Sequence, residues 1–256
     1  MITIGPAGIG KNPLQFFNQL KHFGLECCEV EFTYGIYMNN ETAKSIKKEA
    51  KKQGITLSIH APYYINLASE DKKKIEQSKK RIIDCCEKGH YLGAKYIVFH
   101  AAYYGKIGSE KCYELVKDAT LEINKTISKN KWNIVLCPET TGKATQWGDV
   151  DEIIKLSKEC GTGACIDFAH IYARNIGKID YDEVCRKIKG IKYLTGHFTG
   201  INYGQKGERS HKKTEYERAE ELLKYLKKYD INIRIINESP ETLDDALMMK
   251  KILNKI

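Results

Sequence analysis

The chain has 256 residues, 42% hydrophobic and 29% charged, with a formal net charge of +9; this excludes a disordered or fibrous polymer and leaves room for one large domain or two small ones. No apolar run approaches the roughly 20 residues that cross a bilayer, and the basic surplus favours a polyanionic partner such as nucleic acid, although lysines on solvated helix faces account for much of it. Nine cysteines without a Cys-x-x-Cys exclude a disulfide framework and a thiolate zinc site; an amino-terminal stretch without a signal-peptide layout suits the reducing cytoplasm, where such thiols pack as small hydrophobes.

Strand-like and helix-like segments alternate along the chain. Residues 1–4 read as a first strand and 13–23 as a helix. Residues 26–32 follow as a strand, and 41–53 as a helix with Ile46 and Ala50 on one face. The third pair is 55–60 with 70–92, the fourth 95–100 with 109–128, and the fifth 133–138 with 150–160. The sixth strand is 163–167, followed by a helix at 181–188. The seventh, 191–197, precedes a helix at 214–229. The eighth, 231–238, precedes a last helix at 240–253. Strands separated by helices run parallel, because each crossover returns the chain to the same starting edge. Eight such units in 256 residues predict an α/β fold, a single (β/α)8 TIM barrel over residues 1–256. In such a barrel all strand carboxyl ends share one face, which carries the active site.

The strand ends are where the chemistry gathers. His60, His100, Glu139, Asp167, His197 and Glu238 each close an apolar run. Asp167 and His170, three apart, face one cavity if the chain leaves the strand at Asp167 into a loop; otherwise Asp167 reads as a helix cap. Two strand-end histidines beside Glu139 supply three ligands for a zinc-like ion with an open position. Glu139, with two oxygens, is able to bridge to a second ion held by Asp167, His197 and Glu238. Carboxylates so crowded repel one another unless cations neutralise them.

Two further patterns are weaker. Gly5 to Lys11 nearly spells a phosphate-binding loop, but Asn12 stands where a Ser or Thr would hold magnesium, so a turn at the barrel mouth is the better reading. Tyr63, Tyr64, Tyr103, Tyr104 and Tyr203 lie just beyond strand ends, placed either to contact bases or to pack loops.

Taken together, the strings SIHAPYYINLAS, VFHAAYYG, PETTGKATQWGD, ACIDFAHIYAR, GHFTGI, GERSH and NESPE resemble endonuclease IV, the apurinic/apyrimidinic endonucleases of the xylose-isomerase-like barrel superfamily, over residues 55–240. The resemblance implies three zinc ions: one on His60, His100 and Glu139, a second on Glu139, Asp167, His197 and Glu238, and a third on His170 and His211. Manganese and iron suit the same ligands. The family places an Asp two residues before the last histidine; here that position is Arg209. Either Glu208 substitutes after a local shift, or the Arg209 cation contacts the phosphate in the metal's stead. The implied activity is hydrolysis of double-stranded DNA on the 5′ side of an abasic site, leaving a 3′-hydroxyl and a 5′-deoxyribose phosphate. Glu139 is the expected catalytic group, Tyr63 and Tyr64 help hold the lesion, and the enzyme is expected to be monomeric. The rival expectation is a sugar isomerase or epimerase, whose single-metal tetrad Glu139, Asp167, His197 and Glu238 also resemble.

Overall fold

A computed structural model describes residues 1–256. In chain order, β1 (Ile2–Pro6), α1 (Pro13–His22), β2 (Cys27–Glu31), α2 (Asn40–Gln53), β3 (Thr56–His60), α3 (Lys72–Leu92) and β4 (Tyr96–Phe99) alternate as predicted. A short strand β5 (Ala102–Tyr103) precedes α4 (Ser109–Lys129) and β6 (Val135–Pro138), and β7 (Gln146–Trp147) pairs back onto β5 before α5 (Val150–Cys160). β8 (Ala164–Asp167) runs directly into α6 (Phe168–Arg174), followed by α7 (Tyr181–Ile188) and β9 (Leu194–Phe198). A hairpin of β10 (Gly200–Gly204) and β11 (Gly207–Lys212) then leads to α8 (Tyr216–Lys228), β12 (Ile233–Asn237) and α9 (Thr242–Lys255).

Local signals explain the element ends. Asn12 caps α1 with Pro13 as its first residue, which turns the phosphate-loop-like stretch into a helix entry. Asn39 caps α2, and Gly54 ends it at φ 74°, a conformation that favours glycine. Asp149 and Glu152 form a reciprocal capping box on α5. As predicted, α2 turns Ile46 and Ala50 inward, joined by Ala43.

The eight long strands form two parallel ladders, β1-β12-β9-β8 and β2-β3-β4-β6. Single bridges join them at two seams, Ala7 to Glu29 and Glu139 to Cys165. There the amide of Gly8 donates to the Glu29 carbonyl at 2.8 Å, and that of Thr140 to the Cys165 carbonyl at 3.0 Å. The ladders thus close into a (β/α)8 barrel. Closure at the first seam needs Gly5, since a Cβ there would come 1.8 Å from the Cys27 carbonyl oxygen.

Strand alternation sorts side chains between the helices and the lumen. On β12, Asn237 faces outward, donating to the Thr214 hydroxyl at 2.8 Å, while Arg234 points into the lumen toward Thr195. Val98, Cys137 and Cys165 pack together inside the barrel, apart from the large core between strands and helices. All nine cysteines are free, and all but Cys160 are buried. No helix is long and apolar enough to cross a membrane.

Candidate metal centre

Glu139, fully buried at the end of β6, sits at the middle of the carboxyl-terminal mouth. Its Oε2 lies 3.1 Å from His60 Nε2 and 3.0 Å from His100 Nε2. Its Oε1 lies 2.9 Å from His197 Nδ1 and 3.4 Å from His170 Nδ1. One carboxylate therefore joins the histidines of one ladder to those of the other. Glu238 Oε1 stands 3.3 Å from His197 Nδ1, and Asp167 Oδ2 stands 3.2 Å from His170 Nδ1.

The expected loop after Asp167 is instead the helix α6. Both readings of Asp167 are realised at once. Its Oδ1 accepts from the His170 amide at 2.7 Å as the helix cap, while its buried Oδ2 has no hydrogen-bond partner. The tight turn of a cap brings a residue three positions on back to the same side, which a strand would not.

Hydrogen bonds from behind aim the rings. His60, His170 and His211 donate Nδ1–H to the carbonyls of Ala61, Thr140 and Glu238, at 2.8, 3.0 and 3.0 Å. That leaves Nε2 of each as the nitrogen turned toward the cavity and able to ligate once it is deprotonated. His197 is reversed: Nδ1 faces Glu139, and Nε2 lies 2.8 Å from Glu29 Oε1. Glu29 is fully buried on β2, with its other oxygen accepting from Ser58 at 2.5 Å. Sequence reasoning missed Glu29 because it lies mid-strand rather than at a strand end. The one signal for it was a charged residue inside the apolar run Cys27–Glu31.

His170, Glu208 and His211 form a further group. Glu208 Oε2 is 3.4 Å from His170 Nε2, and Oε1 is 3.9 Å from His211 Nε2. Residues 208 and 211 would point to opposite faces of a regular strand. Here β11 pairs Glu208 with Tyr203 and Ser210 with Asn202, so Arg209 is an extra, bulged residue that shifts the alternation. Gly142 admits Glu208, since a Cβ there would come 2.6 Å from the Glu208 Cβ. The Arg209 side chain lies across Gly204 of the same hairpin and lines an adjoining groove, not the cavity beside the histidines.

That cavity, about 230 Å³, is lined by His60, His100, His170, His211, Glu208 and Glu238, with Tyr63 and Tyr103 at its edge. The other tyrosines are engaged elsewhere. Tyr64 donates to the Tyr34 carbonyl at 2.9 Å under Arg81, Tyr104 donates to Glu152 at 2.7 Å, and Tyr203 packs edge-on against Tyr172.

The charge pattern fits divalent cations. Burial works to raise the Glu139 carboxyl, yet the charges of His197 and His100 hold it well below its ordinary range. Burial opposes a charged His60, but the Glu139 hydrogen bond and charge lift it to about 10. Burial pushes Glu31 up to about 8 and also raises Glu238. Protons on imidazoles thus do the neutralising that cations would otherwise do. The unpartnered Asp167 Oδ2 and the sets His60/His100/Glu139, Glu139/Asp167/His197/Glu238 and His170/Glu208/His211 suit zinc or a similar ion, each set holding ligand atoms within 4.8 Å of one another.

Known proteins show the same frame. The family model for the xylose isomerase-like TIM barrel matches residues 17–198. An uncharacterised protein from Methanocaldococcus jannaschii is 35% identical over 100% of this chain and 98% of its own. A probable endonuclease 4 from Metamycoplasma arthritidis is 27% identical over 73% of this chain and 70% of its own. Two solved structures share the fold alone. Endonuclease IV from Thermus thermophilus has a TM-score of 0.71 at 19% identity, covering 99% of this chain and 97% of its own. The 3-keto-D-glucoside 4-epimerase from E. coli has a TM-score of 0.72 at 13% identity, covering 100% of both chains. By sequence and by architecture, the chain belongs to the xylose isomerase-like TIM barrel family.

Proposed function

We propose that this protein is a divalent-metal-dependent phosphodiesterase that cuts double-stranded DNA on the 5′ side of abasic sites. One observation carries the reading. Glu139 presents one oxygen to His60 and His100 and the other to His197, and a separate group of His170, Glu208 and His211 stands beside it. A sugar epimerase needs only the tetrad of Glu139, Asp167, His197 and Glu238. It leaves the remaining histidines without a task. Similarity to probable endonuclease 4 sequences supports the same choice.

His60, His100 and Glu139 would hold one ion, Glu139 with Asp167, His197 and Glu238 another, and His170, Glu208 and His211 a third. Bound there, such ions supply an activated water and neutralise charge that develops on the phosphate. The chain's own groups do the positioning. Glu139 fixes the spacing of the two ligand sets. Backbone carbonyls hold three imidazoles in one tautomer, and Glu29 holds the fourth, His197, from behind. Tyr63, half exposed and packed 5.6 Å from the His60 ring, offers an aromatic face to an extruded sugar. Lys143, Lys206 and Arg209 line the groove that runs off the cavity, where a phosphate backbone would be drawn in.

The test is incision of a duplex oligonucleotide with one abasic-site analogue, with and without chelator, at low salt. Metal-dependent incision 5′ to the lesion supports the reading. No incision by folded, zinc- or manganese-loaded protein, together with epimerisation of a ketose, would replace it with the sugar reading.

A further inference from the structure

The opposite, amino-terminal end of the barrel holds a cavity of about 600 Å³, larger than the one at the metal centre. Lys47, Lys51, Lys95, Lys192 and Arg234 line it, and no carboxylate does. None of the five makes an ion pair anywhere in the structure. Helix ends explain part of this at most. Lys51 lies in the last turn of α2, where a cation complements the helix dipole. Lys95 and Lys192 precede strands, and Arg234 is inside the barrel.

Arg234 is the decisive residue. It is 6% exposed, and its Nε has no hydrogen-bond partner. One Nη reaches the Thr195 hydroxyl at a long 3.4 Å, and the guanidinium lies 4.8 Å from the Tyr96 ring centre. Glu29, the acid in the next layer up, makes no ion pair with Arg234: its Oε2 accepts from Ser58 and its Oε1 lies 2.8 Å from His197 Nε2. A buried guanidinium without an anion is costly, and a phosphate presents the oxygens its planar donors match. Beside it, Ile55, Leu57 and Leu92 give the cavity an apolar wall. The volume lies in the usual range for small-molecule sites.

We infer that this amino-terminal cavity binds a phosphorylated small molecule, with its phosphate on Arg234 and Lys95 and its apolar or aromatic body against Leu57, Leu92 and Tyr96. The site is independent of the metal centre, and the inference stands whether that centre cuts DNA or isomerises a sugar.

The experiment is calorimetric titration of the metal-loaded protein with AMP, adenosine and inorganic phosphate at low salt. The variants are Lys95→Gln combined with Lys192→Gln, which leave the core untouched, and Arg234→Met, checked for folding by circular dichroism. AMP is expected to bind, adenosine at least about tenfold more weakly, and the lysine variant to lose at least about tenfold in AMP affinity with its metal content unchanged. Equal AMP affinity in wild type and lysine variant would place the phosphate on the metals and overturn the inference. So would adenosine binding as tightly as AMP, or the absence of binding by both AMP and phosphate at millimolar concentration.

Discussion

Replacing Glu208 with alanine isolates the third ligand group. Glu208 is the carboxylate between His170 and His211, at 3.4 and 3.9 Å, and burial that would raise it is outweighed by the His170 contact, which holds it at about 2. It is therefore ionised and ready to ligate at any working pH. A zinc site is worth about 10–16 kcal/mol, and shared over these three side chains and one water it gives about 2.5–4 kcal/mol per ligand, or roughly two to three powers of ten in affinity. Glu208→Ala should thus lose one zinc per chain when dialysed against a zinc buffer, while the ions around Glu139 remain. Arg209→Ala should keep every ion, because its side chain points along the groove. Gly142→Ala removes no ligand, yet its new Cβ would displace Glu208, so it should weaken the same ion. Elemental analysis with a chromophoric chelator competition reads all three. Unchanged metal content in Glu208→Ala, or loss of an ion in Arg209→Ala, would refute the bulge-based assignment.

Glu139→Gln should abolish incision while the protein stays folded; near-normal cleavage with metals bound would dismiss Glu139 as the bridging group. Glu29→Gln should weaken metal binding about 10–100-fold through the lost support of His197, measured by the same competition, and unchanged affinity would make Glu29 merely structural. Because His60 titrates near 10 in the metal-free protein, it is protonated at neutral pH and must release that proton to ligate. Zinc affinity should therefore rise with pH, and the heat of binding should depend on the buffer's ionisation enthalpy; buffer-independent heats would count against a protonated cluster. Gly5→Ala should destabilise the barrel at or beyond the upper end of the ~1–3 kcal/mol usual for overpacked cores, visible as a lowered midpoint in urea.

The barrel was legible because buried parallel strands announce themselves as apolar runs, and because so many of its strand ends carry a polar signature such as His60 or Glu139. The small antiparallel pieces were not. β5 and β7 have two residues each, too few to show a period. The β10–β11 hairpin is mostly polar on both faces and reads as loop. Missing that hairpin left Arg209 and Glu208 as undecided alternatives, since only the register shift shows which one turns toward His170. Tyr64 shows the opposite limit: its position beyond a strand end is visible in sequence, but its engagement with Arg81 and Tyr34 is not. Glu29 escaped because a buried acid in mid-strand has no local pattern, only partners far along the chain, Ser58 and His197.

The two seams of the barrel give the ligand arrangement a mechanical meaning. His60, His100 and Glu139 come from one ladder, and Asp167, His197 and Glu238 stand on or directly after strands of the other. Each seam carries one bridge where the ladders carry several paired residues, one at Glu139 itself, with the Gly163 amide donating to the Leu136 carbonyl at 2.9 Å beside it, and the other at Glu29. Ions bound between these groups would act as a clasp across the weakest lines of the wall. Chelation should then loosen both half-barrels along those lines, with backbone amides such as those of Gly8 and Thr140 exchanging faster with solvent than amides inside either ladder.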